Sequence, residues 1–382
     1  MSVIAKRSSN SFYRPELDCL RFFAFLFVFI SHAFSISADY YVHLGLPRQL
    51  ATWISKAIGS GGLGVVLFFV LSSYLITELL LREYEQRGTL DVKSFYIRRA
   101  LRIWPLYFVF LVLIYLIIPQ ESEYSIKTNF FIAMLLFVGN WAAVFAGGMG
   151  ASVAGPLWSI SVEEQFYIAW PLIISKVGAH HLKRLCFVLI IFSNLVRVIM
   201  EKKGAGFVAF WCSTVTWFDA IAAGALLALF LRGSVPRWSL VTRLVLCVGG
   251  LAVWVLSVRF RDQLIYPDIV YFPVVVFGSC LILIGVLGSN LRLPILVYFG
   301  RISYGLYVFH AAALALVSLV FVVYSPLCAM AGLVTTLILG SVSYSLLEQP
   351  FLKLKKRFTY VRSEPVAFAE SGSTVVSREV SP

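Results

Sequence analysis

Arg21 and His32 stand inside a stretch that is otherwise almost entirely apolar, Asp18-Cys-Leu-Arg-Phe-Phe-Ala-Phe-Leu-Phe-Val-Phe-Ile-Ser-His32-Ala-Phe. Ionisable groups in a membrane span are costly and mark function by default. The two residues are eleven apart, so they differ by only about 20° around a helix and by roughly 16 Å along it. One helix face therefore offers a fixed cation near one end and, well inside, an imidazole of the kind that serves as a general base.

Two more segments carry residue types that do chemistry. The first is Pro156-Leu-Trp158-Ser-Ile-Ser161-Val-Glu163-Glu164-Gln165-Phe-Tyr167-Ile-Ala-Trp-Pro171. Two adjacent carboxylates and an amide are not needed for packing. Glu163 and Glu164 point about 100° apart, so one cavity faces one of them more than the other. A carboxylate at the depth of His32 can orient the imidazole and stabilise its cation; a structural intramembrane hydrogen bond is the alternative. The second is Phe95-Tyr-Ile-Arg98-Arg99-Ala-Leu-Arg102-Ile-Trp-Pro105. Arg98 and Arg102 share a helical face, and guanidinium groups grip phosphates through paired hydrogen bonds. Ordinary membrane-surface anchoring is the competing reading. Arg21, expected at the same surface, favours a phosphate clamp.

Other polar residues within apolar segments have plainer readings. Tyr304, Tyr307 and His310 recur every three residues as a polar stripe, either a substrate contact or a satisfied core histidine. Arg197 and Asp219 lie at similar depth on neighbouring spans and fit a structural ion pair. Gly59-Ser-Gly61-Gly62-Leu-Gly64 fits close helix packing. The six cysteines have no CxxC spacing and read as buried free thiols, with no disulfide framework and no metal site. His43, His180 and His181 fall in loops and carry no signal.

These groups must be positioned by membrane helices. Hydrophobic residues make up 60% of the 382 and charged residues 13%, and mean hydropathy is +0.87. Apolar stretches near the roughly 20 residues that a span requires occur at 18–37, 60–80, 101–119, 158–176, 184–201, 211–231, 241–258, 269–287, 303–323 and 327–347. A further stretch, 129–146, is interrupted by Gly139-Asn-Trp141. If it does not cross, most Lys and Arg gather on one side: the run from Arg82 to Arg102, Lys176 to Arg184, Arg232 to Arg243, Arg292, Arg301 and Lys353 onward. Arg48, Lys56, Lys127, Lys202, Lys203, Arg259 and Arg261 lie opposite. Cytoplasmic loops carry that excess. The expected fold is therefore an all-α polytopic bundle of about ten transmembrane helices plus a re-entrant segment at 129–146, with both termini cytoplasmic. The first span is too long for a cleavable signal peptide, and no small-residue cleavage site follows it. The membrane domain is expected over residues 1–355 and a disordered cytoplasmic tail over 356–382. The net charge of +13 follows from this bias and from Lys353-Leu-Lys-Lys-Arg357. That run suits anionic lipid, not nucleic acid.

In this order the motifs resemble the membrane acyltransferase-3 family of bacteria. The resemblance runs from Tyr13-Arg-Pro-Glu-Leu-Asp18 to Leu347-Glu348-Gln-Pro350-Phe. It takes in Arg21 and His32, the glycine-rich second span, Phe-Tyr-Ile-Arg-Arg99, Leu157 through Tyr167, and Gly300-Arg-Ile-Ser-Tyr304 through His310. Departures are small: Cys19 and Ser73 where glycine is usual, and Gln349 where arginine is common. The resemblance implies an O-acyltransferase of the bacterial cytoplasmic membrane that moves acetyl or another short acyl group onto a hydroxyl, most often of a cell-envelope or exported carbohydrate. The donor implied is acetyl-CoA or another short acyl-CoA, and enzymes of glycan biosynthesis are the implied partners. Arg21, Arg98, Arg99 and Arg102 would hold donor phosphates. His32 would act as general base or accept the acyl group itself, and Glu163 or Glu164 would orient it. Ser161, Gln165, Tyr304, Tyr307 and His310 would meet substrate. The rival from another class is a transporter of a glycolipid or proton-coupled solute, because intramembrane charges also mark transport pathways. An antibiotic, a lipid or a Nod-factor-like oligosaccharide would be alternative acceptors.

Overall fold

The computed structural model describes residues 13–264 and 267–359. Lys6, Arg7 and residues 360–382, most of the expected tail, lie outside the described residues. The chain is 80% helix, with no strand among the described residues.

Helix α1 spans Pro15–Ala33. Pro15 supplies the fixed φ of a first helical position, and Glu16 and Asp18 face the positive end of the helix dipole. The helix stops where Phe34 turns extended. Two short helices, α2 (Ala38–His43) and α3 (Arg48–Ser60), lead through a 3-10 turn at Gly61–Leu63 into α4 (Gly64–Arg87). Gly61 and Gly64 let this junction press on α1: a Cβ at either would collide with the carbonyl of Phe27 or Ala24. Asp91 caps α5 (Val92–Ile117), its carboxylate accepting the Ser94 N–H at 2.9 Å.

The stretch 129–146 is not one helix. It forms α6 (Thr128–Leu135) and α7 (Gly139–Ala146), separated at Phe137, which has φ 55°. Eight residues reach only about 12 Å, well short of a bilayer core of about 30 Å. Next come α8 (Trp158–Lys176), α9 (Ala179–Lys202), α10 (Phe207–Cys212), α11 (Phe218–Leu231), α12 (Leu240–Phe260) and α13 (Pro267–Val286). Helix α14 (Pro294–Arg301) meets α15 (Ser303–Val317) at a bend of 74°. A Cβ at Gly300 would strike the backbone of Asp18, so α14 seats directly on α1. The described chain ends with α16 (Pro326–Ser343), a π-helical turn at Tyr344–Glu348 and α17 (Gln349–Lys355).

Six helical stretches are long and apolar enough to cross a membrane, or seven if α14 and α15 count as one span. Ten crossings are not established. Helices α1, α8 and α9, of 19, 19 and 24 residues, fall outside that set although their length suffices. Their polar side chains dilute the apolarity: Glu16, Asp18 and Arg21 on α1, Glu163 to Gln165 on α8, and Lys183, Arg184, Arg197 and Glu201 on α9. The outer face of α12 exposes Leu240, Val241, Leu244, Val245 and Val248. Such a contiguous apolar surface suits lipid.

The expected ion pair is present. Arg197 and Asp219 meet at 2.8 Å, both buried. All six cysteines are free.

Candidate active site

Helices α1, α4, α5, α8 and α15 surround a cavity of about 90 Å³. Arg21 reaches it from α1, Ser72 from α4, and Arg99 and Arg102 from α5. Ser159, Glu163 and Tyr167 enter from α8, and Ser303, Tyr304 and Tyr307 from α15. The i, i+3 and i, i+4 spacings explain which residues of each motif share the wall: Arg99 with Arg102, Glu163 with Tyr167 and Ser159, and Tyr304 with Tyr307.

The charges on the wall differ in how they are partnered. Arg21 is compensated by Asp18, one turn earlier, at 2.6 Å. Glu163 accepts two hydroxyl hydrogen bonds, from Ser72 at 3.0 Å and Tyr167 at 2.8 Å. The ring of Tyr167 also lies 5.0 Å from the Arg99 guanidinium, with Phe95 on another side at 5.5 Å. Tyr167 thus joins carboxylate and cation without neutralising either. Neither Arg99 nor Arg102 donates a hydrogen bond to any described residue, so both guanidinium groups have donor capacity facing the cavity. Tyr304 and Tyr307 are fixed by their hydroxyls, which donate to the carbonyls of Ile103 at 2.9 Å and Pro156 at 2.7 Å.

His32 lies beyond this wall. Its Nδ1 is 2.9 Å from the Val28 carbonyl. A carbonyl only accepts, so in the neutral ring Nδ1 carries the proton and Nε2 is a bare acceptor. The ring is exposed and packs edge-on against His310, 5.0 Å between centroids. His310 in turn lies 5.4 Å from Tyr307, so the histidines adjoin the cavity through one of its lining residues.

Several expected assignments change. Arg98 points away from the cavity, bonding Glu83 at 3.1 Å and the Phe358 carbonyl at 2.6 Å. The α5 arginines that share the cavity wall are therefore Arg99 and Arg102, not Arg98 and Arg102. Neither glutamate is bonded to His32. Glu164 accepts from Trp104 Nε1 at 3.1 Å and is buried behind α8. Gln165 bonds the Phe137 carbonyl at 2.8 Å and Asn140 Oδ1 at 3.0 Å, tying α8 to the broken α6–α7 segment. Ser161 is fully buried and does not line the cavity. Ser72, Ser159, Tyr167 and Ser303 were missed. Tyr167 and Ser159 sit four residues either side of Glu163, a signal that a helical face count would have caught; Ser72 depends on how α4 packs against α8. Among the described residues no three His, Cys, Asp or Glu side chains converge as metal ligands would.

Residues 14–345 match the acyltransferase domain family. The chain is 28% identical over 374 residues to a Staphylococcus aureus (strain MSSA476) protein named "Putative O-acetyltransferase SAS0844", covering 89% of this chain and 58% of that protein. It is 26% identical over 391 residues to the O-acetyltransferase OatA of S. aureus (strain MRSA252), covering 94% and 60% respectively. The chain thus spans about three fifths of the length of the curated relatives it matches. No solved structure matches it.

Proposed function

Because the chain belongs to the acyltransferase domain family that matches residues 14–345, we propose that it is a multi-pass O-acyltransferase of the bacterial cytoplasmic membrane. It would transfer an acetyl or other short acyl group from an acyl-CoA to a hydroxyl of a cell-envelope or exported carbohydrate. One observation carries this reading: two guanidinium groups without a protein hydrogen-bond partner, Arg99 and Arg102, face an intramembrane cavity beside Arg21, on the same helix as an accessible imidazole.

In this scheme both termini are cytoplasmic, the membrane is crossed ten times, and the arginine wall lies toward the cytoplasm. Arg99 and Arg102 bind donor phosphates, and Tyr167 and Glu163 hold Arg99 in place. The roughly 16 Å between Arg21 and His32 along α1 matches the length of an extended pantetheine arm. The thioester then reaches His32, where an acceptor arrives from the other side. His32 Nε2 takes the proton of the acceptor hydroxyl as its oxygen attacks the acyl carbon. The C–O bond forms, the C–S bond breaks, and the thiolate leaves and takes up the proton. Ser159, Tyr304 and Tyr307 shape the passage between the two ends.

The test uses purified protein in lipid nanodiscs, radiolabelled acetyl-CoA and glycan from a deletion strain. Label in the glycan, lost with Arg99→Gln, supports the reading. Donor-independent passage of glycolipid through proteoliposomes, with no label transferred, would favour a transporter instead. Cysteine labelling at Ser152 and Ala179 tests the topology: labelling of Ala179 from outside would exclude ten crossings.

A further inference from the structure

His310 stands behind His32 and is not used by the scheme above. It is 0% exposed, its Nδ1–H donates to the Tyr307 carbonyl at 2.6 Å, and its Nε2 has no partner. Leaving a buried acceptor unpaired is costly, so a fold that retains one invites an explanation. The rings packed on it are His32 at 5.0 Å, Tyr307 at 5.4 Å and Phe25 at 6.4 Å. His32 has the same Nδ1 anchor on a backbone carbonyl but an exposed ring. An accessible imidazole is thus backed by a sealed one.

Charged groups on the elements packed against α15 are held away from His310. The turn at Gly155–Leu157 contains no titratable residue, and Cys328 is the one titratable residue of α16. Arg301 of α14 bonds Tyr13 at 3.1 Å. Arg102 of α5 lines the cavity with Tyr304, two turns of α15 away from His310. Tyr107 of the same helix donates to the Met134 carbonyl at 2.9 Å. Apart from Tyr307 of its own helix, His32 is the titratable group in ring contact with His310.

We propose that His310 is a positioning residue that acts through His32. It holds the His32 ring edge-on, and its unpaired Nε2 lone pair stabilises the imidazolium that forms when His32 takes the acceptor's proton. The inference rests on His32 being the base. His310 stays neutral and forms no bond to substrate; the proton moves from acceptor oxygen to His32 Nε2 and then to the departing thiolate. With Nδ1–H committed to Tyr307, His310 can only accept, so Nε2 is the negative end of a fixed dipole in a dry setting, where such dipoles act strongly. A direct substrate contact is the poorer reading, because His310 Nε2 has no accessible surface.

The test compares His310→Phe, which keeps a ring without a lone pair, with His310→Gln, which returns an acceptor. Both are assayed in nanodiscs with acetyl-CoA and glycan from the deletion strain. His310→Phe should lower kcat roughly 10- to 100-fold, with KM for acetyl-CoA within about twofold. Without the lone pair, protonated His32 is less stable, so the base form persists to lower pH. The acid limb of kcat should therefore move down by about one pH unit, a shift equivalent to about 1.4 kcal/mol. Glutamine should recover most of the rate and move the limb back. An unmoved limb with normal kcat per folded molecule would overturn the proposal, as would a rise in KM with kcat retained. In the unmodified protein, diethyl pyrocarbonate should modify His32 and spare His310; equal modification would overturn it even if the variants fail to fold. Full activity of His32→Gln would instead remove the underlying assignment of the base.

Discussion

Two regions of the bundle place arginines among apolar helices, and they treat them in opposite ways. In the α9–α13 region, Arg197 bonds Asp219, Asn194 and the Thr216 carbonyl and lies 4.8 Å from the Phe272 ring. Arg243 donates to the carbonyls of Pro236, Trp238, Gly285, Leu287 and Gly288, closing α12 onto the end of α13. Around the cavity, Arg99 and Arg102 rest beside rings or open space and donate to no described residue. Arg243 spends its donors on backbone carbonyls and Arg197 keeps only a sealed Nε unpaired, whereas the donors of Arg99 and Arg102 face a cavity and can take a ligand. Charge in a span is therefore only the first half of a functional argument. Where its hydrogen bonds go is the second.

The comparison can be broken most sharply at the base. His32→Gln keeps a polar side chain but cannot take a proton, and should lower acyl transfer by roughly 10²- to 10⁴-fold with folded yield near normal. Robust turnover by purified His32→Gln protein would remove His32 from the chemistry. Arg197→Ala tests the satisfied region. It leaves Asp219 buried and unpaired, a loss of about 3–5 kcal/mol of stability. Folded yield in detergent should collapse, while any protein recovered should keep its donor affinity. Arg99→Gln and Arg102→Gln should do the reverse, each weakening acetyl-CoA binding by about 1.5–3 kcal/mol at nearly unchanged yield, as a direct donor-binding titration would show. If acceptor affinity falls instead, these arginines hold the wrong ligand. The smallest effect is expected from Arg98→Gln. Although it belongs to the same arginine-rich motif, it should leave donor affinity within about twofold. Loss of its ion pair with the buried Glu83 should lower thermal stability by about 1–3 kcal/mol.

The residues of the site were legible to different degrees. Arg21, Glu163, Tyr304 and Tyr307 stood out as polar groups in apolar runs, and all four line the cavity. Arg98 and Arg102 could be paired by helical spacing, but spacing fixes only which residues share a face, not which face turns inward. The contacts of α5 itself explain the difference: Arg98 is held by Glu83 and the Phe358 carbonyl, while the Ile103 carbonyl accepts from Tyr304 and Tyr107 donates to the Met134 carbonyl. Those partners lie on other elements and fix the rotation of α5. A matching depth likewise made a histidine–glutamate pair sterically possible, yet the lateral placement of α8 gives Glu163 to Ser72 and Tyr167 and gives Glu164 to Trp104.

Composition alone required a helical membrane protein, because long apolar stretches must satisfy their backbone groups internally. The broken segment at 129–146 also showed in the sequence, through Gly139-Asn-Trp141, next to the break at Phe137. What only the tertiary structure decided is which intramembrane charges face a cavity and which face protein, and that His310 of α15 is the ring that meets His32. These two residues are separated by most of the chain. A one-dimensional pattern fixes the period of a helix but not its neighbours, and hydrogen-bond satisfaction is a property of neighbours.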